Sequence, residues 1–192
     1  MNITAGKYKG QKITAPDENI TRPTLSKVRM SVFNTLQAMI DFEGASFLDM
    51  FSGSGIMGLE ALSRGFSKVV MIEKNRKVYN IIKSNIKKYE KDNDIRLIFG
   101  DSLKSNEFLL SFRHSERSEE SQYLTSQNDR RFNIVYIDPP YFSGIYEQSL
   151  DVASKVCKGI IILEHVVELD LTEYDVLKQK KYGDKYITFI KV

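Results

Sequence analysis

A strand, a glycine-rich turn and a helix follow one another within residues 46–65, and this succession limits the possible fold more than any other feature. Residues 46–50 form an apolar run typical of a buried strand. The turn has the spacing G-x-G-x-x-G, at Gly53, Gly55 and Gly58. Several nucleotide-binding folds share this spacing. A second apolar strand follows the helix at 68–72. The unit therefore predicts an α/β fold with parallel strands.

The same alternation of strands and helices continues to the end of the chain. Apolar runs predict further strands at 95–99, 132–137, 159–163, 174–180 and 186–192. Apolar residues at helical spacing predict helices between most of these strands. Two consecutive strands at the end indicate an antiparallel closure. The predicted architecture is a single doubly wound, mostly parallel sheet of seven strands with right-handed crossovers.

Two segments lie outside this alternation. Residues 2–14 are typical of a short hairpin, so residues 1–23 are predicted to form an N-terminal β-hairpin extension and residues 24–192 the main domain. Residues 111–131 are poor in apolar side chains and predict a loop or a disordered insert.

Three acidic side chains stand where predicted strands end, at Asp49, Glu73 and Asp101. The carboxyl ends of parallel strands meet at the edge where open α/β sheets bind ligands. Glu73 is placed to accept hydrogen bonds from ribose hydroxyls, and Asp101 from an adenine amino group. A carboxylate beside the glycine turn repels a pyrophosphate but attracts the ammonium and sulfonium groups of S-adenosylmethionine. These residues therefore favour S-adenosylmethionine over NAD as the cofactor.

The apolar run 132–137 ends in Asp138-Pro139-Pro140-Tyr141, the candidate catalytic segment. The prolines stiffen the exit from the strand and leave carbonyl groups and the Asp138 carboxylate free to accept hydrogen bonds. Tyr141 offers a flat face to a planar ring. Acceptors that converge beside a stacking surface suit an exocyclic amine of a nucleobase. A proline-rich turn capped by Asp138 is the purely structural alternative.

Composition narrows the classes of protein. The chain of 192 residues is 42% hydrophobic and 28% charged, which is typical of a globular protein, and neither a membrane span nor a signal peptide is predicted. A single cysteine excludes an internal disulfide and fits the cytoplasm. The two histidines have no cysteine partners at ligand spacing, so no metal site is expected. Residues 1–37 hold six basic and two acidic side chains, which is compatible with a polyanionic partner.

Together these residues resemble class I S-adenosylmethionine-dependent methyltransferases, whose amino-methylating members place D/N/S-P-P-Y/F/W at the end of the fourth strand. The chain is similar in particular to the bacterial 16S ribosomal RNA guanine-N2 methyltransferase family. The motifs shared with that family are Tyr8-Lys9-Gly10, the R-P-T-x-x-x-V-R pattern from Arg22 to Arg29, and the run from Asp49 through Gly65. Thr4-Ala5-Gly6 departs from the glycine pair that the family tends to have.

The resemblance implies methyl transfer from S-adenosylmethionine to the exocyclic N2 of a guanine in 16S ribosomal RNA. The partner would be that RNA or the assembling 30S subunit, and the enzyme would be cytoplasmic, independent of metals and membranes, and a monomer. The implied catalytic residues are Asp138, Pro139, Pro140 and Tyr141. The implied cofactor-binding residues are Asp49, Phe51, Ser52, Gly53, Gly55, Glu73, Lys74, Asp101 and Ser102. The candidates for RNA phosphate contacts are Lys7, Lys9, Arg22 and Arg29.

Other functions are compatible with the same residues. DNA adenine-N6 or cytosine-N4 methylation uses the same tetrapeptide, although a chain of this length shows no obvious target-recognition domain. Methylation of a protein glutamine would favour Asn at the position of Asp138. A non-catalytic ribosome-assembly factor of the same fold would not need Asp49, Glu73 and Asp138 together on one edge of the sheet.

Overall fold

The computed structural model describes residues 1–17, 25–104, 131–140 and 144–192 of the protein. Its strands are β1 (Ser46–Asp49), β2 (Lys68–Glu73), β3 (Asp94–Phe99), β4 (Phe132–Ile137), β5 (Cys157–His165), β6 (Asp175–Tyr182) and β7 (Lys185–Lys191). Its helices in these ranges are α1 (Ser26–Gln37), α2 (Ile56–Ser63), α3 (Arg76–Ile86) and α4 (Tyr146–Val156). None of the described helices is long and apolar enough to cross a membrane.

The strands form one sheet in the order β3-β2-β1-β4-β5-β7-β6. β1 pairs in parallel with β2 and β4, and the parallel pairing continues to β3 on one side and to β5 on the other. β7 runs antiparallel to both β5 and β6. The predicted seven-stranded, mostly parallel sheet is therefore confirmed. Strand order reverses between β1 and β4, and in sheets of this kind the crevice at that point, outside the carboxyl ends of the strands, binds ligands.

Apolar side chains on the two faces of the sheet form two clusters. On one face, Phe47, Ile134 and Phe189 belong to a cluster that includes buried residues of α1, α2 and α3. On the other face, Val135 and Ile161 pack with the buried residues of α4. Because side chains alternate along a strand, a strand covered on both faces is apolar at almost every position. This double burial explains why unbroken apolar runs mark the central strands in the sequence.

The N-terminal segment folds back on the helices that cover one face of the sheet. A single antiparallel bridge joins Asn2 to Lys12, where the sequence predicts a hairpin with strand-like ends. Ile3 and Ile13 are buried in the same apolar cluster as α1, α2 and α3. The segment is therefore packed into the core of the sheet and does not hang free.

Two predicted features fall outside the described residues. The boundary of the extension at residue 23 lies within 18–24, which the structure does not describe. Most of the insert predicted at 111–131 lies within 105–130, which it does not describe either. Both features stay predictions.

Gly6 sets how the N-terminal segment approaches α2. Its φ is +80°, and a Cβ added there would lie 1.8 Å from the backbone oxygen of Ser63. The amide of Lys7 donates a 2.7 Å hydrogen bond to that same oxygen. Gly10 has a nearly identical φ of +82°, but a Cβ there would meet nothing within 4 Å. The two glycines therefore have nearly the same φ, but only Gly6 lies directly against backbone atoms of another segment.

Gly6→Ala should accordingly destabilise the protein more than Gly10→Ala. Gly10→Ala adds only left-handed backbone strain and should lower the free energy of unfolding by about 1–2 kcal/mol. Gly6→Ala adds a clash with backbone and should lower it by about a further 1–3 kcal/mol. Urea unfolding of both variants measures the difference. Equal losses of stability would show that the N-terminal segment is not held against α2.

Candidate active site

A cavity opens at the carboxyl edge of the sheet, where β1 and β4 lie side by side. It is lined by Asp49, Phe51, Ser52, Gly53, Ser54, Ile56, Met57, Tyr136 and Asp138. The glycine turn and the aspartate of the D-P-P segment, which are distant in the sequence, therefore face one space. Five of the predicted site residues line it, namely Asp49, Phe51, Ser52, Gly53 and Asp138.

The turn between β1 and α2 needs its first two glycines for different reasons. Gly53 and Gly55 both have positive φ, at +51° and +75°. The Gly55 amide donates a 2.6 Å hydrogen bond to the Ser52 carbonyl, which closes the turn. A Cβ on Gly55 would also lie 2.9 Å from a methyl carbon of Ile82 in α3. Any other residue at position 55 would both strain the turn and push α3 away.

The third glycine of the motif, Gly58, lies inside α2. A Cβ at this position would lie 2.5 Å from the sulfur of Met71, in the neighbouring strand β2. Gly58 therefore allows α2 to pack closely against the sheet, which fixes where the helix begins beside the cavity.

Asp49 is a buried carboxylate without a hydrogen bond. Its side chain is 1% exposed, and neither carboxylate oxygen has a hydrogen-bond partner among the described residues. Burial raises the pKa of Asp49 to about 7, and the charge of Glu73 adds to the rise. The backbone amides of Phe51 and Gly58 oppose it, although neither is placed to make a full hydrogen bond. A carboxylate in this state suits a cationic ligand, which would supply the missing partner.

Glu73 ends β2 and holds the glycine turn. One of its carboxylate oxygens accepts a 3.0 Å hydrogen bond from the Gly53 amide, and the other accepts a 2.7 Å bond from the Asn75 amide. Burial raises the pKa of Glu73 above its usual value, and these two hydrogen bonds oppose the rise. The carboxylate is thus fixed in direction beside the turn. Each of its oxygens keeps a further lone pair for a hydroxyl group.

Five predicted cofactor-binding residues do not line this cavity, namely Gly55, Glu73, Lys74, Asp101 and Ser102. Lys74 is exposed immediately after Glu73. Asp101 accepts a 3.2 Å hydrogen bond from the Leu103 amide, which uses one of its oxygens within its own turn. Ser102 is buried. Contacts of Lys74, Asp101 and Ser102 with a cofactor therefore stay predictions.

The D-P-P segment continues directly from β4. Asp138 is half-buried, Pro139 is buried and Pro140 is exposed, while Tyr141 lies outside the described residues. Burial raises the pKa of Asp138 well above its usual value, and the nearby charge of Glu164 adds to the rise while that of Lys185 opposes it. A carboxyl group with a raised pKa is a better proton acceptor near neutral pH than an ordinary aspartate.

Three residues outside the predicted site, Tyr136, Glu164 and Lys185, surround Asp138; of these, the sequence suggested only that Glu164 could approach the site, with a structural role as the favoured alternative. The Tyr136 hydroxyl donates a 2.8 Å hydrogen bond to one oxygen of Glu164, and the Lys185 ammonium donates to the other. Tyr136 and Glu164 are fully buried. Strand alternation could have indicated Tyr136, because it stands two residues before Asp138 and so faces the same side. No sequence signal placed Lys185 here, since its position depends on β7 pairing with β5.

His165 has a structural role. Its two ring nitrogens lie 2.7 Å from the Val167 carbonyl and 2.9 Å from the Thr188 hydroxyl. The neighbouring Glu164 pairs with Lys185. Both ring nitrogens of His165 therefore have partners within the fold, whereas Glu164 also acts electrostatically on Asp138. Among the described residues no group of three or more His, Cys, Asp or Glu side chains is arranged to hold a metal ion.

The predicted phosphate contact of Arg29 is wrong. Its side chain is 1% exposed and donates hydrogen bonds to the Asn2 carbonyl at 2.9 Å and to the Ser26 hydroxyl at 3.2 Å. Its Nε lies 3.9 Å from a carboxylate oxygen of the buried Glu60. Arg29 therefore ties α1 to the N-terminal segment and to α2. The anionic group near its guanidinium is therefore a buried carboxylate and not an RNA phosphate.

Lys7 and Lys9 are exposed, but they stand far from the cavity. The hydrogen bond from the Lys7 amide to the Ser63 carbonyl places the segment that carries both lysines at the last residue of α2. Because α2 begins at the glycine turn and runs back across the sheet, its end lies at the opposite edge. Contacts of Lys7 and Lys9 with RNA would thus be remote from Asp138. Arg22 lies outside the described residues.

Comparison with known proteins yields consistent matches over most of the chain. A family model described as "Conserved hypothetical protein 95" matches residues 1–191. A putative rRNA methyltransferase YlbH from Bacillus subtilis is 29% identical over 177 residues, which cover 90% of this chain and 86% of the relative. Ribosomal RNA small subunit methyltransferase D from Escherichia coli is 32% identical over 152 residues, which cover 79% of this chain and 66% of the relative.

Solved structures show the same similarity. A putative methyltransferase, yhhF, from Escherichia coli superposes with a TM-score of 0.76 and 26% identity, covering 100% of this chain and 97% of the other. A putative methylase from Haemophilus influenzae gives a TM-score of 0.72 and 26% identity over 99% of this chain and 97% of the other. The similarity therefore extends over the whole fold, including the edge that carries the cavity.

Proposed function

The chain belongs to the family described as "Conserved hypothetical protein 95", and on that premise we propose that it methylates the exocyclic N2 of a guanine in 16S ribosomal RNA, with S-adenosylmethionine as methyl donor. The names of the relatives from Bacillus subtilis and Escherichia coli, both ribosomal RNA methyltransferases, support this function. The single observation that carries it is the pair of carboxylates, Asp49 and Asp138, in the wall of one cavity. Asp49 suits a cationic donor, and Asp138 suits an amine.

The residues present fit S-adenosylmethionine. Bound there, the cofactor would supply a methyl group on a sulfonium, and Asp49 would be a partner for its positive charge. Glu73 would accept hydrogen bonds from the ribose hydroxyls, with its direction fixed by the Gly53 and Asn75 amides. The glycine turn leaves backbone amides without side chains in front of them, so a ligand can approach closely.

Asp138 and Pro139 are proposed to act on the substrate amine. The Asp138 carboxylate and the Pro139 carbonyl would each accept a hydrogen bond from one N–H of the amine and so turn its lone pair toward the methyl group. Orientation of this kind can supply a large part of the rate in a displacement reaction. The nitrogen would gain positive charge as its bond to the methyl carbon forms and the carbon–sulfur bond breaks, with the neutral thioether as leaving group. Asp138 would stabilise that charge and then take up the proton released from the nitrogen. Its raised pKa suits it to this last step.

The target base must leave its stack to reach this site. Pro140 is exposed two residues after Asp138. Tyr141, which lies outside the described residues, keeps its predicted role of stacking on the guanine. A base in a single-stranded loop loses fewer stacking and pairing contacts on entering the site than a base inside a helix does. A single-stranded loop of the RNA is therefore the favoured substrate.

Incubation with tritiated S-adenosylmethionine tests the function directly. Undermethylated 30S subunits and free 16S ribosomal RNA are offered as alternative substrates, and the labelled nucleotide is identified after digestion. We expect the label in N2-methylguanine of the RNA. Label in DNA or in protein instead, or in no substrate, would contradict the proposal. The better of the two RNA substrates also shows whether the assembled subunit is the partner.

The pKa of Asp49 leads to a pH dependence of cofactor binding. Near pH 6 the free protein holds a proton on Asp49, since burial raises its pKa to about 7. A cation binds the carboxylate and must expel that proton, so affinity should fall roughly tenfold for each pH unit below 7 and be nearly constant above 8. Calorimetry from pH 5.5 to 8.5 measures this. Asp138→Asn should keep the same dependence, and a flat profile in the wild-type protein would contradict the assignment to Asp49.

A further inference from the structure

A groove runs along the surface between α1 and the edge strand β6. Its polar lining consists of Lys27, Ser31, Asn34 and Thr35 from α1 and Lys178 and Lys180 from β6. Three cations therefore face one another across it, and no carboxylate lines it among the residues that the structure describes. A groove of this composition has a positive potential and fits a polyanion.

Lys180 is held in place inside the groove. Its ammonium donates hydrogen bonds to the Thr35 hydroxyl at 2.7 Å and to the Ser31 hydroxyl at 3.2 Å. These partners are neutral, so they fix the position of the charge without cancelling it. An edge strand often carries lysines that prevent pairing with other chains, but that role needs no fixed position. Because two hydrogen bonds already hold this side chain, it would lose less conformational entropy when an anion binds. The fixed position of the ammonium group therefore indicates an anion site.

The groove lies close to the catalytic edge. Lys180 is opposite Ile187 on β7, which is opposite Glu164 on β5, and Glu164 stands beside Asp138 at the end of β4. These four residues form one row across the sheet. With strands about 4.8 Å apart, the row places Lys180 about 14 Å from Asp138. The bonds of Lys180 to α1 show that it points to the same face as the cavity wall.

We propose that the groove between α1 and β6 binds the sugar–phosphate backbone of the RNA strand that flanks the target nucleotide. This proposal rests on the proposed function and extends its substrate contact beyond the N-terminal segment. Phosphate contacts position an RNA without reading its sequence, and lysines on a short, fixed spacing suit that role. Exposed Met30 and Leu25, at 45% and 68%, offer apolar surface beside the cations on which an unstacked base could lie.

The double variant Lys27→Gln with Lys178→Gln tests the proposal. Both side chains are exposed, so their loss should leave the fold intact. Lys180→Gln is a separate variant that keeps a hydrogen-bond donor near Thr35. The matched control is Lys155→Gln, an exposed lysine of α4 on the other face of the sheet. Binding of unmodified 16S ribosomal RNA is measured at several salt concentrations, with S-adenosylhomocysteine saturating.

We expect the double variant to weaken RNA binding at least tenfold. The slope of log affinity against log salt should decrease in magnitude by about 1.4, at about 0.7 for each lost phosphate contact of a single strand. Lys180→Gln should weaken binding in the same direction, and Lys155→Gln should match the wild-type protein. The rate of methyl transfer at saturating RNA should not change in any of them.

Three results would overturn the proposal, and they separate it from the proposed function. Wild-type affinity and salt slope in the double variant would exclude the groove, while methyl transfer to RNA would leave the function standing. If the double variant methylated free RNA normally but no longer methylated 30S subunits, the groove would contact a ribosomal protein and not the RNA backbone. Absence of both RNA binding and RNA methylation in the wild-type protein would refute the function and the groove together.

Discussion

Replacing Asp138 with alanine is expected to reduce methyl transfer by about 10²–10³-fold or more while the dissociation constant for S-adenosylmethionine changes by no more than a few-fold. Asp138 meets the substrate amine, whereas Asp49 and Glu73 are the residues proposed to hold the cofactor. Burial and the nearby charge of Glu164 both disfavour an ionised carboxyl group at position 138, and the alanine variant removes that group. The variant should therefore fold normally. Single-turnover rates and calorimetry measure the two effects separately.

Asp138→Asn is the matched control for this experiment. Asparagine keeps a carbonyl that can accept a hydrogen bond from the amine but cannot take up its proton. Activity between that of the wild-type and alanine proteins would show that orientation and proton acceptance both contribute. An alanine variant that methylates RNA at the wild-type rate would refute the catalytic role of Asp138.

Asp49→Asn should weaken binding of S-adenosylmethionine by about 10–150-fold, the loss that corresponds to a charged contact of about 1.5–3 kcal/mol. The same change should stabilise the protein without cofactor. The raised pKa of Asp49 means that the folded state binds its proton more tightly than the unfolded chain does. Ionisation of Asp49 therefore lowers the free energy of unfolding progressively as pH rises from about 4 to about 7, and the loss is complete above pH 7. At pH 8 the free energy of unfolding should increase by up to about 4 kcal/mol.

Asp175→Asn provides the comparison for Asp49→Asn. Asp175 is an exposed residue at the start of β6, so its replacement should alter neither cofactor affinity nor stability beyond about 0.5 kcal/mol. Urea unfolding at pH 5 and pH 8 distinguishes the two. A loss of stability in Asp49→Asn at pH 8, or unchanged affinity for the cofactor, would mean that Asp49 has a partner within the protein and does not await a ligand.

Arg29 and Lys7 have similar surroundings in the sequence but very different ones in the fold. Both side chains belong to a basic segment, and the pattern of charges does not distinguish them. In the folded protein Arg29 is buried against Asn2 and Glu60, whereas Lys7 is exposed at the edge of the sheet opposite the cavity. Burial and position depend on contacts between residues that are far apart in the chain. Local charge cannot report them.

The sequence by itself determined the order of strands and helices, the glycine turn and the position of each acidic residue at a strand end. These features follow from local rules, because side-chain periodicity and turn chemistry act over a few residues and parallel strands share one carboxyl edge. Only the tertiary structure decided the environment of Asp138 and the groove beside α1. Both depend on β7 lying between β5 and β6, which brings Lys185 to Glu164 and Lys180 to Thr35. Pairing of this kind is set by packing of the whole sheet, and no short pattern encodes it.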